Sequence, residues 1–218
     1  MPFCFVPQPR LVRAEYFASQ VVAEATLVQT RALPDADNPI GISAYVYTLR
    51  VDHVLRGNTS ATLQVYEEND SGRATFDWVR GREYLLFLFH APDKKSWELD
   101  GCGNSGPLSG AKEAIAEIQA IKTAHGGGFI QGMVSAQAVS NPVSGVRVEA
   151  VGKAGHYEAT TDRNGKFEID VPAGQYVVHA SKTGLSFDKF DFSYEDPRHV
   201  VIEPGGAAQI QFVVIESK

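Results

Sequence analysis

The chain has 218 residues, a net charge of -6, and 44% hydrophobic against 21% charged residues, enough for one large domain or two small ones. That acidic balance argues against a nucleic-acid partner, which requires a cationic face. No window holds the apolar run that crosses a bilayer as a helix, so a soluble protein without a membrane span is expected.

In chain order, Leu11, Ala14 and Phe17 recur at helical spacing and predict a short helix from Arg10 to Phe17. From Gln20 to Thr30 the period becomes two: Val21, Ala23, Ala25 and Leu27 oppose Val22, Glu24, Thr26 and Val28, a long strand. Leu33-Pro-Asp-Ala-Asp-Asn-Pro39 is turn composition and breaks it. Alternation resumes from Ser43 to Leu55 and ends at Arg56-Gly57. A third strand, Thr62 to Tyr66, precedes the polar loop Glu67-Glu-Asn-Asp-Ser-Gly72. The strongest strand is Glu83 to Phe89, and Trp97 to Leu99 make a short fifth.

One clear helix follows, opening near Ser109 as its N-cap, with Ala111, Ala114, Ile115, Ile118 and Ile121 on an apolar face. Gly126, Gly127 and Gly128 end it. Three glycines in a row cost too much entropy inside an element, so a hinge-like boundary between domains 1–125 and 129–218 is placed there. Beyond it, Gly145 to Val151, Thr160 to Phe167 and Pro172 to His179 read as alternating strands and turns. They predict a small antiparallel sandwich, with Asn164-Gly165 supplying positive φ for a hairpin turn.

The chemistry-bearing residues are sparse. Gly103-Asn-Ser-Gly-Pro107 has the look of a protease nucleophile turn. A serine needs a base and an orienting group, however, and none can be named, so this reads as a structural turn. The histidines at 53, 90, 125, 156, 179 and 199 are dispersed, which gives no metal site and no cofactor. Phe187-Asp-Lys-Phe-Asp-Phe-Ser-Tyr194 alternates rings and carboxylates; its ring face is either core or, if exposed, a carbohydrate- or peptide-binding platform. Cys4 and Cys102 are either buried thiols or a disulfide. The placement of Cys4 at the N-terminus and of Cys102 in a glycine-rich turn favours the bridge and an oxidising compartment. Met1 to Cys4 lacks the features of a leader, which implies either a cytosolic protein or a secreted chain already trimmed, and the disulfide argument favours the second.

Two resemblances organise these observations. Cys4 followed by a short helix, the strand Val21 to Thr30, Val51-Asp-His-Val-Leu-Arg-Gly57, Gly81-Arg-Glu-Tyr-Leu-Leu-Phe87, Cys102 and the terminal helix together resemble a netrin-like module, the OB-fold barrel of the tissue inhibitors of metalloproteinases. That similarity covers residues 4–124. Gly132, Pro142-Val-Ser-Gly-Val-Arg-Val148, Thr161-Asp-Arg-Asn-Gly-Lys-Phe167 and Pro172-Ala-Gly-Gln-Tyr176 are similar to the carboxypeptidase regulatory-like module, a non-catalytic transthyretin-like sandwich. The implied fold is mainly β: a five-stranded OB-like barrel with a C-terminal helix, followed by a small antiparallel sandwich.

The inhibitors begin Cys-x-Cys, and the first cysteine chelates the protease zinc through its amine and carbonyl. Here Pro2-Phe3-Cys4 keeps only the second cysteine, and Ser71 stands near the expected place of the lost partner. Cys4 and Cys102 match the two ends of the other bridge. The resemblance thus implies a non-enzymatic secreted, periplasmic or cell-surface protein that binds another protein, with protease inhibition as its sharpest form. The expected contact surface is Cys4, Phe5, Val6 and Pro7 beside Glu68, Asn69, Asp70 and Ser71. The alternatives are a structural or adhesion component of the cell envelope, or a carbohydrate-binding module.

Overall fold

The computed structural model describes residues 9–215 except 39, 71–72, 91–95, 125, 137–140 and 191–194. The described chain forms two compact units: Glu15–Ile118, and residues 9–14 together with those from Gln119 on.

In the first unit, α1 (Val12–Ala18) leads into β1 (Val21–Pro34), β2 (Ile42–Arg56), β3 (Thr62–Glu68), β4 (Glu83–His90) and β5 (Trp97–Leu99). They pair in the order β1-β2-β3-β5-β4, and β1 pairs again with β4 to close a five-stranded barrel. Every pairing is antiparallel except β3 with β5, which is the OB-like arrangement. Alternate residues fill the interior: Val21, Ala23, Ala25 and Leu27 from β1, Tyr47 and Leu49 from β2, Leu63 and Val65 from β3, and Tyr84, Leu86 and Leu88 from β4. Small alanines opposite large rings let so narrow a barrel close without voids.

Two expectations for this unit change. β1 runs on to Pro34, which pairs with Ile42, so only residues 35–41 turn. Most side chains from Val28 to Pro34 are exposed, so no alternation marks the extension. Ser109 does not cap the helix. It lies in a 3-10 turn, Leu108–Gly110, just after the two-residue β6 (Gly106–Pro107), and α2 (Lys112–Thr123) starts later.

The second unit contains β7 (Gly128–Ala136), β8 (Asn141–Pro142), β9 (Arg147–Gly152), β10 (Gly155–Thr160), β11 (Lys166–Val171), β12 (Gly174–Ser181), β13 (Ser186–Lys189), β14 (Val200–Ile202) and β15 (Ala207–Ile215). One sheet is β10-β9-β12-β14 and the other β11-β7-β15-β13, with β8 added to β7. Their inner faces share one core, in which Val148, Ala150, Tyr176, Val178 and Ile202 meet Ile130, Val134, Phe167, Ile169 and Ile210. That is a β-sandwich.

The sandwich is not wholly antiparallel. β15 runs parallel to β7 from Ala207 opposite Phe129 to Val214 opposite Ala136. A parallel pair needs a long crossover, which short-range turn signals do not reveal. Gly165 does take positive φ, +71°. However, the turn it makes joins β10 to β11, which lie in different sheets, so it is not a hairpin. Asp162 closes that turn, its Oδ1 accepting the N–H groups of Asn164 and Lys166 at 2.8 Å each.

Of the glycines after α2, Gly126 does use its freedom, at φ +106°, but the next two are placed by close backbone approach. A Cβ on Gly127 would lie 2.1 Å from the Val171 carbonyl oxygen, and one on Gly128 2.0 Å from that of Gly206. Gly132 is tighter still, 1.9 Å from the Ile210 oxygen and 2.6 Å from the Phe167 ring. Gly132→Ala is therefore expected to destabilise the protein by about 3 kcal/mol. Gly110→Ala, where nothing lies within 4 Å, should change stability by less than about 0.5 kcal/mol. Urea denaturation of the two variants compares them directly.

Candidate functional site

Of the expected contact residues, Cys4, Phe5, Val6, Pro7 and Ser71 lie outside the described residues. Glu68, Asn69 and Asp70 are described, and all three are exposed at the end of β3. Asn69 is held at both ends: its N–H donates to the Ser43 carbonyl and its Nδ2 to that of Ile42, 2.9 Å away. Arg73 Nη1 then donates to Asn69 Oδ1 at 3.0 Å. Asn69 thus serves the loop's own shape, and Glu68 and Asp70 give the loop an acidic tip.

Glu67 was expected to belong to the polar loop. It is instead a β3 residue facing into the barrel, 6% exposed. A buried carboxylate survives only with donors around it. Oε1 accepts the Ala74 N–H at 2.9 Å, and Oε2 accepts Trp78 Nε1–H at 3.0 Å. The Tyr47 hydroxyl also bonds to Glu67, and burial, followed by the carboxylate's charge, pushes the Tyr47 pKa well above its ordinary value. Trp78 stacks on Tyr47 with ring centroids 4.4 Å apart, and Tyr45 also stacks with Tyr47, at 6.1 Å. Tyr84 finishes the brace: its hydroxyl donates to the Asp77 carbonyl and accepts the Val79 N–H. The segment from Arg73 to Val79 is thereby fastened across the barrel's open end.

Cys102 sits half-buried in a turn built on Asp100, whose Oδ1 accepts the Cys102 N–H at 2.8 Å. Beside it, Asn104 donates from both its backbone N–H and its Nδ2 to Glu15 Oε2, each at 2.7 Å. Glu15 is fully buried. A Cβ on Gly103 would come within 2.1 Å of its other oxygen, so glycine is required there. Ser105 Oγ accepts the Phe87 N–H at 2.9 Å. The serine of the tempting motif is therefore a structural tie to β4.

In the second unit, Gln209 is fully buried and holds the segment before α1. Its Oε1 accepts the Leu11 N–H and its Nε2 donates to the Pro9 carbonyl, both at 2.9 Å. The Gln209 N–H donates to Glu195 Oε2 at 2.8 Å. Burial raises the Glu195 pKa to about 7, against the opposing pull of that N–H and of Arg10. Periodicity gave no hint of this clamp, in which β15 carries an amide at a fully buried position.

On the outer face of the other sheet, register sets Glu149 opposite Glu158. Ligand atoms of Glu149, His156 and Glu158 lie within 4.8 Å of one another, a grouping that sequence spacing did not reveal. Directly opposed carboxylates repel, and Arg147 offsets this. It bonds Glu158 through Nε and Nη2 and reaches Glu149 at 3.2 Å, while His156 Nε2 lies 2.8 Å from Glu149. The cluster closes on itself as an ion-pair network. Phe187, from the aromatic stretch, packs against the sandwich core.

Two measurements check these assignments. Glu67→Ala strands three donors at the barrel end, so a loss of about 3 kcal/mol is expected, against less than about 0.5 kcal/mol for exposed Glu68→Ala; chemical denaturation reads both. For Glu195, the folded pKa of about 7 exceeds the ordinary 4.5. Its contribution is fully present below pH 4.5 and lost as pH rises through 7. Glu195→Gln is expected to flatten the unfolding free energy across that window.

The family model of the carboxypeptidase regulatory-like domain, a non-catalytic domain type, matches residues 130–214, the span from β7 to β15. No curated protein matches the chain.

Proposed function

We propose that the chain is a non-enzymatic, secreted or periplasmic binding protein of two domains. The barrel, read as netrin-like, presents its β3–β4 loop to another protein, and the sandwich is a non-catalytic companion module. The observation that carries this reading is the bracing of that loop. Glu67, Asn69 and Arg73 fix its base while Glu68 and Asp70 stay exposed. A tip already held in one shape loses little conformational entropy on docking, and this preorganisation favours affinity.

A Cys4–Cys102 bridge belongs to the same proposal. Metalloproteinase inhibition is its sharper form and requires Cys4 at the mature N-terminus, because the chelating amine must be free. The deciding experiment is the intact mass of the natively produced protein, alkylated with and without reduction, together with its N-terminal residue. Two alkyl groups added only after reduction are expected, and Cys102→Ser is expected to cost about 4 kcal/mol of stability. Two thiols that alkylate without reduction overturn the secreted reading. A mature chain that starts at Cys4 and inhibits a zinc proteinase establishes the sharper form.

A further inference from the structure

We propose that the hollow between the barrel's open end and the segment 73–78 binds a neutral saccharide. The proposal does not rest on the partner-binding reading, which uses the loop's exposed tip. The hollow measures about 330 Å³ and is lined by Thr30, Tyr45, Tyr47, Glu67, Arg73 and Trp78 among others. That volume lies at the small end of the range for ligand sites, and its lining sets the rings of Tyr45, Tyr47, Phe76 and Trp78 among the polar side chains of Thr30, Glu67, Arg73, Thr75 and Asp77.

The rings are positioned in advance. Tyr45, Tyr47 and Trp78 form a ladder with interplanar angles of 21° and 20° between successive members, and the Glu67 carboxylate fixes two of the three rungs. Tyr45 ends the ladder and is only half-buried, so the stack opens towards the hollow. The carbon face of a pyranose lies flat on such a ring, while its hydroxyls need both donors and acceptors at the rim. Arg73 supplies donors and the Thr30 hydroxyl acts as either. A carboxylate has about four acceptor positions, so Glu67, with three donors already on it, keeps one for a sugar hydroxyl.

Charge selects among ligands that stack. Glu67 and Asp77 outnumber Arg73 at the hollow, and the whole chain carries -6. A nucleotide or a sulfated sugar would bring further negative charge into a site that already has an excess. A neutral polyol meets no such penalty.

The test is a ¹H–¹⁵N NMR titration of the full chain with cellobiose, maltose, lactose and chitobiose, and with a heparin disaccharide as the anionic probe. The expected result is a saturable shift of the Trp78 indole N–H and the Ala74 amide with at least one neutral sugar. Tyr45→Ala should weaken that binding about tenfold. Arg73→Gln, a change at a side chain outside the barrel core, should weaken it as well, which keeps the test decisive if Tyr45→Ala folds poorly. Glu68→Lys should leave it unchanged. The proposal is overturned if none of the four sugars shifts those resonances saturably, if the shifts map elsewhere, or if the heparin disaccharide binds there as tightly.

Discussion

A carboxylate buried in a narrow barrel is tolerable only where protein donors replace its water, and the open end of the barrel is organised around that requirement. Glu67 faces inward from β3, and its oxygens draw in the Ala74 amide, the Trp78 indole and the Tyr47 hydroxyl. Each of those bonds has a structural consequence. The amide bends the chain back after the acidic tip, the indole lays Trp78 on Tyr47, and the hydroxyl fixes the orientation of Tyr47 itself. An apolar residue at position 67 would fill the space but would leave the loop without a reason to return.

The same device recurs elsewhere in the molecule. Fully buried Glu15 ties α1 to the turn that carries Cys102, and fully buried Gln209 ties residues 9–11 to β15. In each case one polar side chain satisfies backbone groups of a segment with little regular structure of its own. Buried polar groups strengthen one another in low dielectric and are costly when half-satisfied. These three therefore specify position rather than adding bulk stability.

Much of the architecture was legible because burial on one face writes a period into the sequence. Val21, Ala23, Ala25 and Leu27 alternate inward as expected, and the Glu83 to Phe89 run is a barrel strand. Where neither face is buried, as from Val28 to Pro34, the strand continues without a pattern to announce it. Where pairing is non-local, as between β15 and β7, no turn residue marks it. Of the expected contact residues within the described chain, Glu68, Asn69 and Asp70 lie together on one exposed loop, and Asn69 serves the loop itself. Glu67 was missed altogether, since a polar residue at an interior position looks like the first residue of a polar loop until its partners, Ala74 and Trp78, are seen to return.

The two units differ in how they spend their polar surface, and that difference bears on where function resides. On the sandwich, the grouped charges at Arg147, Glu149, His156 and Glu158 answer one another across the sheet, and the aromatic Phe187 is turned into the core. These charges are thus satisfied within the sheet. At the barrel end, a buried carboxylate instead props aromatic rings around a hollow beneath an acidic tip. Rigid rings beside a cavity retain binding capacity, whereas rings packed in a core have already used theirs.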